Sequence, residues 1–422
     1  MYPNKIVQRK VENVMINKRK YLAAVGMIIL TAVIVMACKT ESADTKIINI
    51  VRYPEPADYT SIFNSNKFPE EKDENFEFDV RSTNLSSENL SDRLDDLLYT
   101  TYDSKTIWPE KLPEGFNPEE IMEIYKNPGL GMRELHKQGI TGKGVGIAII
   151  DQTLLVDHVE YKDRIKLYEE NENAGKHDAQ MHGPAVASIA VGKTVGVAPE
   201  ADLYYIAGDF GTFRGDSFED DFSLLAKNIE RILEVNKELP EADKIRVISI
   251  SKGWSKGEKG YEEITEAVNK AKEEGIFVIS TSLEETYGYS FHGLGKYPMS
   301  DADALESYKP GSWWEEYAEM TFKDKFFGEG PFLLAPMDFR CTAAPNGVND
   351  YVVYSSGGWS WTVPYIAGVY SLACQVNPDI TYDEFWEIAL ETGKEIMLKT
   401  KGGQEYAMEK IINPAGIIER LK

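Results

Sequence analysis

Cysteine, histidine and positive charge are what this chain has least of. Of its 422 residues three are cysteine and five are histidine, and 46 Lys and Arg stand against 69 Asp and Glu. Three cysteines allow one disulfide at most, which excludes a disulfide-stapled scaffold. A formal net charge of -23 excludes nucleic acid as a partner, because phosphate binding needs clustered Lys and Arg. The acidity reads instead as solubility in a charged surface environment. No internal repeat is evident. What is present is apolar content, 42% with 11% aromatics, enough to bury a substantial core.

The first 37 residues break the acidic trend. Lys5, Arg9, Lys10, Lys18, Arg19 and Lys20 face a single acid, Glu12, and an apolar run follows from Tyr21 to Ala37. A basic head before an apolar stretch is the layout of an export signal. The run ends Val35-Met36-Ala37-Cys38, which resembles the processing site of bacterial lipoproteins. That resemblance implies lipidation at Cys38, a signal peptide over 1–37, and a mature chain lipid-anchored at the extracytoplasmic face of the cell membrane. An uncleaved signal-anchor helix is the alternative, since 17 residues just span a bilayer. Cys341 and Cys374 remain after Cys38. They are expected as two thiols, with Cys374 acting as a small hydrophobe in a buried helix.

Residues 38–118 are polar, with prolines at 54, 56, 69, 109 and 113 and one short amphipathic stretch from Leu90 to Tyr99. They are expected as an N-terminal extension, a linker or surface-packing segment without a compact fold of its own, in the place a prosegment would take. From 119 to 422 the pattern changes. Gly144 to Ile150 is a continuous apolar run, long enough for a buried parallel strand, and Ala201 to Ala207, Ile245 to Ile250 and Ile276 to Ile279 are further strand candidates. Helical spacing runs from Glu219 to Glu238 and from Tyr261 to Glu274, the latter closed by Gly275, and a buried helix is expected from Pro364 to Val376. Strand–helix alternation of this kind predicts an α/β fold, a mainly parallel β-sheet flanked by helices on both faces. Sites in such sheets lie beyond the carboxyl ends of the strands.

Three local patterns bear on chemistry. Gly142-Lys-Gly-Val-Gly-Ile-Ala-Ile-Ile-Asp151 sets a carboxylate at the end of a buried strand. His182-Gly-Pro-Ala-Val-Ala-Ser188 is followed by Gly196-Val-Ala-Pro199. Gly358-Trp-Ser360-Trp-Thr-Val-Pro364 places a serine at the start of an apolar helix, with proline where the first turns tolerate it. Taken singly, such an Asp is commonly a turn residue and such a Ser a helix cap. In the order Asp, His, Ser they resemble the subtilase family of serine peptidases (peptidase family S8), from about Asn127 to the C-terminus.

The resemblance implies a subtilisin-like fold and a serine endopeptidase that cleaves peptides or proteins through an acyl-enzyme. Ser360 would be the nucleophile, His182 the general base and then acid, and Asp151 the group that fixes the imidazole. Val247-Ile-Ser-Ile-Ser251-Lys252-Gly253 resembles the family's substrate-binding strand, with Ser251, Lys252 and Gly253 holding the peptide backbone as an added strand. Trp359 and Trp361 flank the nucleophile and are expected to restrict entry.

The chain departs from the family at several points. Asp151-Gln152-Thr153 replaces Asp-Thr-Gly, and Lys252 replaces a leucine. The family's oxyanion-hole asparagine is missing, because no Asn occurs between Asn269 and Asn346. Ser282 is expected as the substitute donor, with Thr281 or the aromatic-rich stretch from Tyr287 to Trp314 as alternatives. Losing one such donor slows turnover by on the order of a hundred- to a thousandfold. A weakened or inactive subtilase-fold binding protein at the cell surface is therefore the second reading. Calcium accompanies the family, and Asp301, Asp303 and the stretch from Asp216 to Asp221 are acidic, yet none has ligand spacing. No metal centre is expected from His177 and His182, whose five-residue spacing does not share a helix face and which lack a third ligand. His136, His158 and His292 are expected as structural or surface residues.

Overall fold

Continuous apolar runs become the centre of the molecule. The structure is a computed structural model that describes residues 49–59, 66–174, 177–214, 217–324, 331–399, 403 and 405–422. The proposed signal peptide and Cys38 lie outside the described residues, as does Asp216. A six-stranded parallel sheet has the order Asn49–Ile50, Ile165–Glu170, Asp202–Ala207, Gly146–Asp151, Ile245–Ile250, Phe277–Ser280. All six residues of Gly146–Asp151 are buried, which requires cover on both faces of the sheet. Two helix pairs supply it, His182–Val191 with Trp359–Val376 and Phe222–Glu238 with Tyr261–Glu273. The chain leaves Gly146–Asp151 toward one side and later returns to fill the other, so its C-terminal end is a topological switch point.

Local chemistry sets the element ends. Asp221 caps Phe222–Glu238 by accepting the Ser223 N–H. Gly275 follows the end of Tyr261–Glu273 with φ +72°, a conformation in which a Cβ would be strained. The helix expected from Pro364 begins five residues earlier, at Trp359. Pro364 lies inside the helix, in its second turn, where its missing N–H leaves the Ser360 carbonyl to the Ser251 hydroxyl.

Residues 66–116 depart from expectation. Two short strands, Phe78–Asp79 and Thr100–Asp103, join Tyr351–Tyr354 and Arg340–Ala343 in a four-stranded sheet. Phe78, Val80, Leu85, Leu90, Leu97, Tyr102 and Phe116 form a second core with Phe339, Cys341 and Val353. Apolar residues fixed by tight turns carry no period of 2 or 3.6, so the segment read as a linker. Beyond the central sheet, Ser290–Lys296, Tyr308–Pro310, Phe332–Pro336, Lys394–Lys399 and Glu405–Ile411 build a five-stranded mixed sheet. Among the described residues no helix is long and apolar enough to cross a membrane. Cys341 and Cys374 are both buried and unbridged, and burial pushes the Cys374 thiol up to about 11.

Candidate active site

Asp151 ends the central strand, and its carboxylate is almost fully buried. It has two backbone and side-chain partners on one oxygen: Oδ1 accepts the Gln152 N–H at 2.8 Å and lies 2.7 Å from His182 Nδ1. His182 opens the His182–Val191 helix with its side chain 21% exposed, so one edge of the ring faces solvent. The next residue must be glycine, because a Cβ on Gly183 would collide with the Gln152 carbonyl. Burial works against the imidazolium, but the charge and hydrogen bond of Asp151 outweigh it and hold the His182 pKa above its ordinary value.

Gln152, the residue at which the family pattern was broken, has a part here. Its side-chain Oε1 accepts the His182 backbone N–H at 3.2 Å. The helix-opening residue is thereby tied to the strand end a second time. The sequence flagged the position as a departure without indicating this contact.

Ser360 lies in the first turn of Trp359–Val376, half-buried. N–H groups of a first turn have no intrahelical acceptor and face whatever lies before the helix. Its Oγ donates to the Ser251 carbonyl at 3.5 Å, and the Ser251 hydroxyl donates to the Ser360 carbonyl at 2.9 Å. No hydrogen bond joins Ser360 to His182. The link between the two is Trp361, whose ring centroid lies 5.2 Å from that of His182. Trp361 is buried against Tyr354, so it is a wall behind the imidazole and does not stand in the entrance. Trp359 is half-buried and packs on Phe291, His292 and Trp313. It lines a cavity of about 100 Å³ with Thr281, Glu284 and Phe332.

The remaining expected residues divide. Ser251 touches Ser360, as above. Lys252 reaches Asp220 at 3.1 Å, and a Cβ on Gly253 would press 2.5 Å from the Thr281 hydroxyl. Ser282 differs from its expected role: its Oγ donates to the Trp254 carbonyl at 2.7 Å and accepts the Trp254 N–H at 2.6 Å. A hydroxyl has one proton, and this one is spent on fastening the loop after Ile250. Thr281 lies at the edge of the cavity beside Trp359.

His158 is fully buried, with Nε2 2.8 Å from the Asp350 carbonyl and Nδ1 accepting the Glu160 N–H at 3.2 Å, a structural arrangement. His292 is buried too, and desolvation lowers it to about 4. His136 bonds the Val197 carbonyl at 2.8 Å, and His177 is exposed. Among the described residues no three His, Cys, Asp or Glu side chains converge as a metal site. Asp303 instead accepts from Asn127 and from the Gly131 N–H, Asp301 accepts the Asp303 N–H, and Asp221 caps its helix.

Residues 142–315 match the profile of the subtilase family, Peptidase_S8. M-protease of Shouchella clausii (strain KSM-K16) is 27% identical over 254 residues, 58% of this chain and 57% of that protein. Serine protease AprX of Bacillus subtilis (strain 168) is 25% identical over 280 residues, 60% of this chain and 61% of that protein. Subtilisin-like protease 2 of Arthroderma otae is 26% identical over 218 residues, 48% of each. The aligned stretches thus span about half to three fifths of these relatives. The solved structure of the prenylagaramide maturation protease PagA aligns with a TM-score of 0.46 at 16% identity, over 69% of this chain and 98% of that one.

Proposed function

We propose that this chain, which carries a subtilisin-like serine protease domain of the subtilase family, is a working endopeptidase with Ser360, His182 and Asp151 as its triad. The observation that carries the reading is the 2.7 Å contact of His182 Nδ1 with Asp151 Oδ1 at the switch point of the sheet. A carboxylate there fixes the tautomer that leaves Nε2 free as a base and stabilises the imidazolium as it forms. A hydroxyl needs such a base to attack a peptide carbonyl. The Ser360 N–H, in a first helical turn, is the natural donor to the resulting oxyanion. Attack requires Ser360 Oγ to leave the Ser251 carbonyl and donate its proton to His182 Nε2.

The named relatives are proteases, and peptide or protein is the substrate class proposed here. Lipid anchoring through Cys38 at the extracytoplasmic face is part of the same proposal and rests on the sequence of residues 1–38. A fluorophosphonate probe tests the chemistry. The wild-type chain is expected to take the label, and Ser360→Ala and His182→Ala to lose it. Equal labelling of the Ser360→Ala chain removes Ser360 from the role.

A further inference from the structure

We infer that Glu77 and Asp338 are positioning residues for the nucleophile, gripping the backbone of the loop that delivers Ser360, and that through Glu77 the N-terminal extension is part of the working site. The inference rests on the reading of Ser360 as nucleophile. The loop 355–358 joins Tyr351–Tyr354 to the Trp359–Val376 helix. Three successive N–H groups of this loop are each taken by a side chain from elsewhere. Ser355 N–H goes to Thr101 Oγ1 at 3.0 Å, Ser356 N–H to Glu77 Oε2 at 3.2 Å, and Gly357 N–H to Asp338 Oδ1 at 2.8 Å.

The clamps are themselves cross-linked. Thr101 Oγ1 donates to Glu77 Oε2. Asp338 Oδ2 accepts the Ser312 N–H at 2.7 Å, and the Ser312 and Ser356 hydroxyls lie 2.8 Å apart. Gly357 is pressed so closely on the Met337 carbonyl that a Cβ would not fit. Thr101 lies on a strand that pairs with the strand leading into the loop. Two of the three acceptors, Glu77 and Thr101, therefore come from the extension. A prosegment that is cut away would take them with it, so the inference requires residues 66–116 to remain on the working enzyme.

Glu77 and Asp338 are 5% and 3% exposed, and among the described residues neither forms an ion pair. A buried carboxylate without a cation is unfavourable unless hydrogen-bond donors satisfy it, and here one donor to each belongs to the nucleophile loop. Burial pushes both carboxyls up to about 7. The charges facing Glu77 are Asp79 and Asp73, which raise it further; Lys309, itself paired with Glu315, pulls Asp338 down. The ionised form is the better acceptor. The grip therefore weakens as pH falls through about 7 and is restored above it.

Glu77→Gln and Asp338→Asn, made in the full chain, keep the shapes and remove the titration. With a peptide substrate, kcat is expected to fall by about ten- to a hundredfold in each, with KM within about twofold, as for misplacement of a reacting group. A merely structural role lowers the melting temperature and leaves kcat of the folded protein unchanged. The wild-type chain alone supplies the second readout. Its log kcat is expected to drop toward acid with a slope above about 1, because the clamps lose charge alongside His182, and the double variant to return to about 1. A wild-type slope of about 1, or kcat within about twofold in both folded variants, overturns the inference alone. A wild-type chain that takes no fluorophosphonate label overturns the protease reading and this inference together. Should the variants not fold, the wild-type slope decides.

Discussion

Replacing Asp151 by Asn removes one charge from the site and little else. Oδ1 of Asp151 accepts both the Gln152 N–H, at 2.8 Å, and the hydrogen bond of His182 Nδ1, at 2.7 Å. The Gln152 N–H favours the amide oxygen in that position, so the variant can keep the imidazole in its working tautomer while losing the anion. Two unit charges about 4 Å apart at an effective dielectric near 20 attract by about 4 kcal/mol. That attraction exists only once the imidazolium has formed, so its loss falls on the transition state and corresponds to about three decades in kcat. An amide turned the other way, with its NH2 toward Nδ1, imposes the wrong tautomer and brings the loss to about four decades.

The same substitution has a signature in pH. Wild-type activity needs neutral His182, whose pKa Asp151 holds up against burial. Activity is therefore present above that raised pKa and lost as pH falls through it. Without the anion, burial is left to act alone, and the His182 step moves toward acid even as the plateau collapses. Steady-state kinetics of wild type and Asp151→Asn across pH 5–9 (about two units either side of neutrality) with a chromogenic peptide measure both effects. A fall of less than about tenfold, or a His182 step that stays in place or moves toward base, refutes the reasoning.

Ser282→Ala is expected to act on stability more than on chemistry: it strips both partners from the buried Trp254 backbone, and each costs about 1–3 kcal/mol when left unsatisfied. Chemical denaturation checks this, and an unchanged midpoint with kcat down by about a hundredfold would return Ser282 to the oxyanion role. Cys38→Ala is expected to block lipidation and leave the chain out of the lipid-anchored fraction on detergent phase partition; undiminished lipid labelling of the variant would refute the anchor.

The parts of the fold legible in the sequence are those whose partners are implied by their own pattern. Gly146–Asp151 and Phe277–Ser280 show as apolar runs because their residues are buried on both faces of the sheet. Tyr261–Glu273 shows its helical period and its terminal glycine. Ile165–Glu170 went unseen: Lys166, Glu169 and Glu170 are only half-buried, near the edge closed by Asn49–Ile50, and the strand reads as polar. The second core was illegible because its residues hang on turns and on isolated parallel bridges such as Asn84 to Ile107 and Asn89 to Lys111, which have no period.

The candidate site divides along the same line. Asp151, His182 and Ser360 each sit at the boundary of one element, and the glycines and small residues that let that element approach its neighbours travel with them in sequence. What holds them relative to one another is not local. Ser282 was expected to donate because the turn after a strand lies near the nucleophile, but where a hydroxyl spends its proton depends on Trp254, 28 residues away. Ser355 depends on Thr101, 254 residues away, and no motif around Ser360 encodes that distance. Buried acids are the least legible of all, since Glu77 and Asp338 have the composition of a solvated face. Departures from the family pattern were better guides than their chemistry suggested. Gln152 binds the His182 backbone and Lys252 binds Asp220. Gln152 does so with an amide oxygen on a longer stem than threonine's hydroxyl, and Lys252 with a charge that leucine lacks.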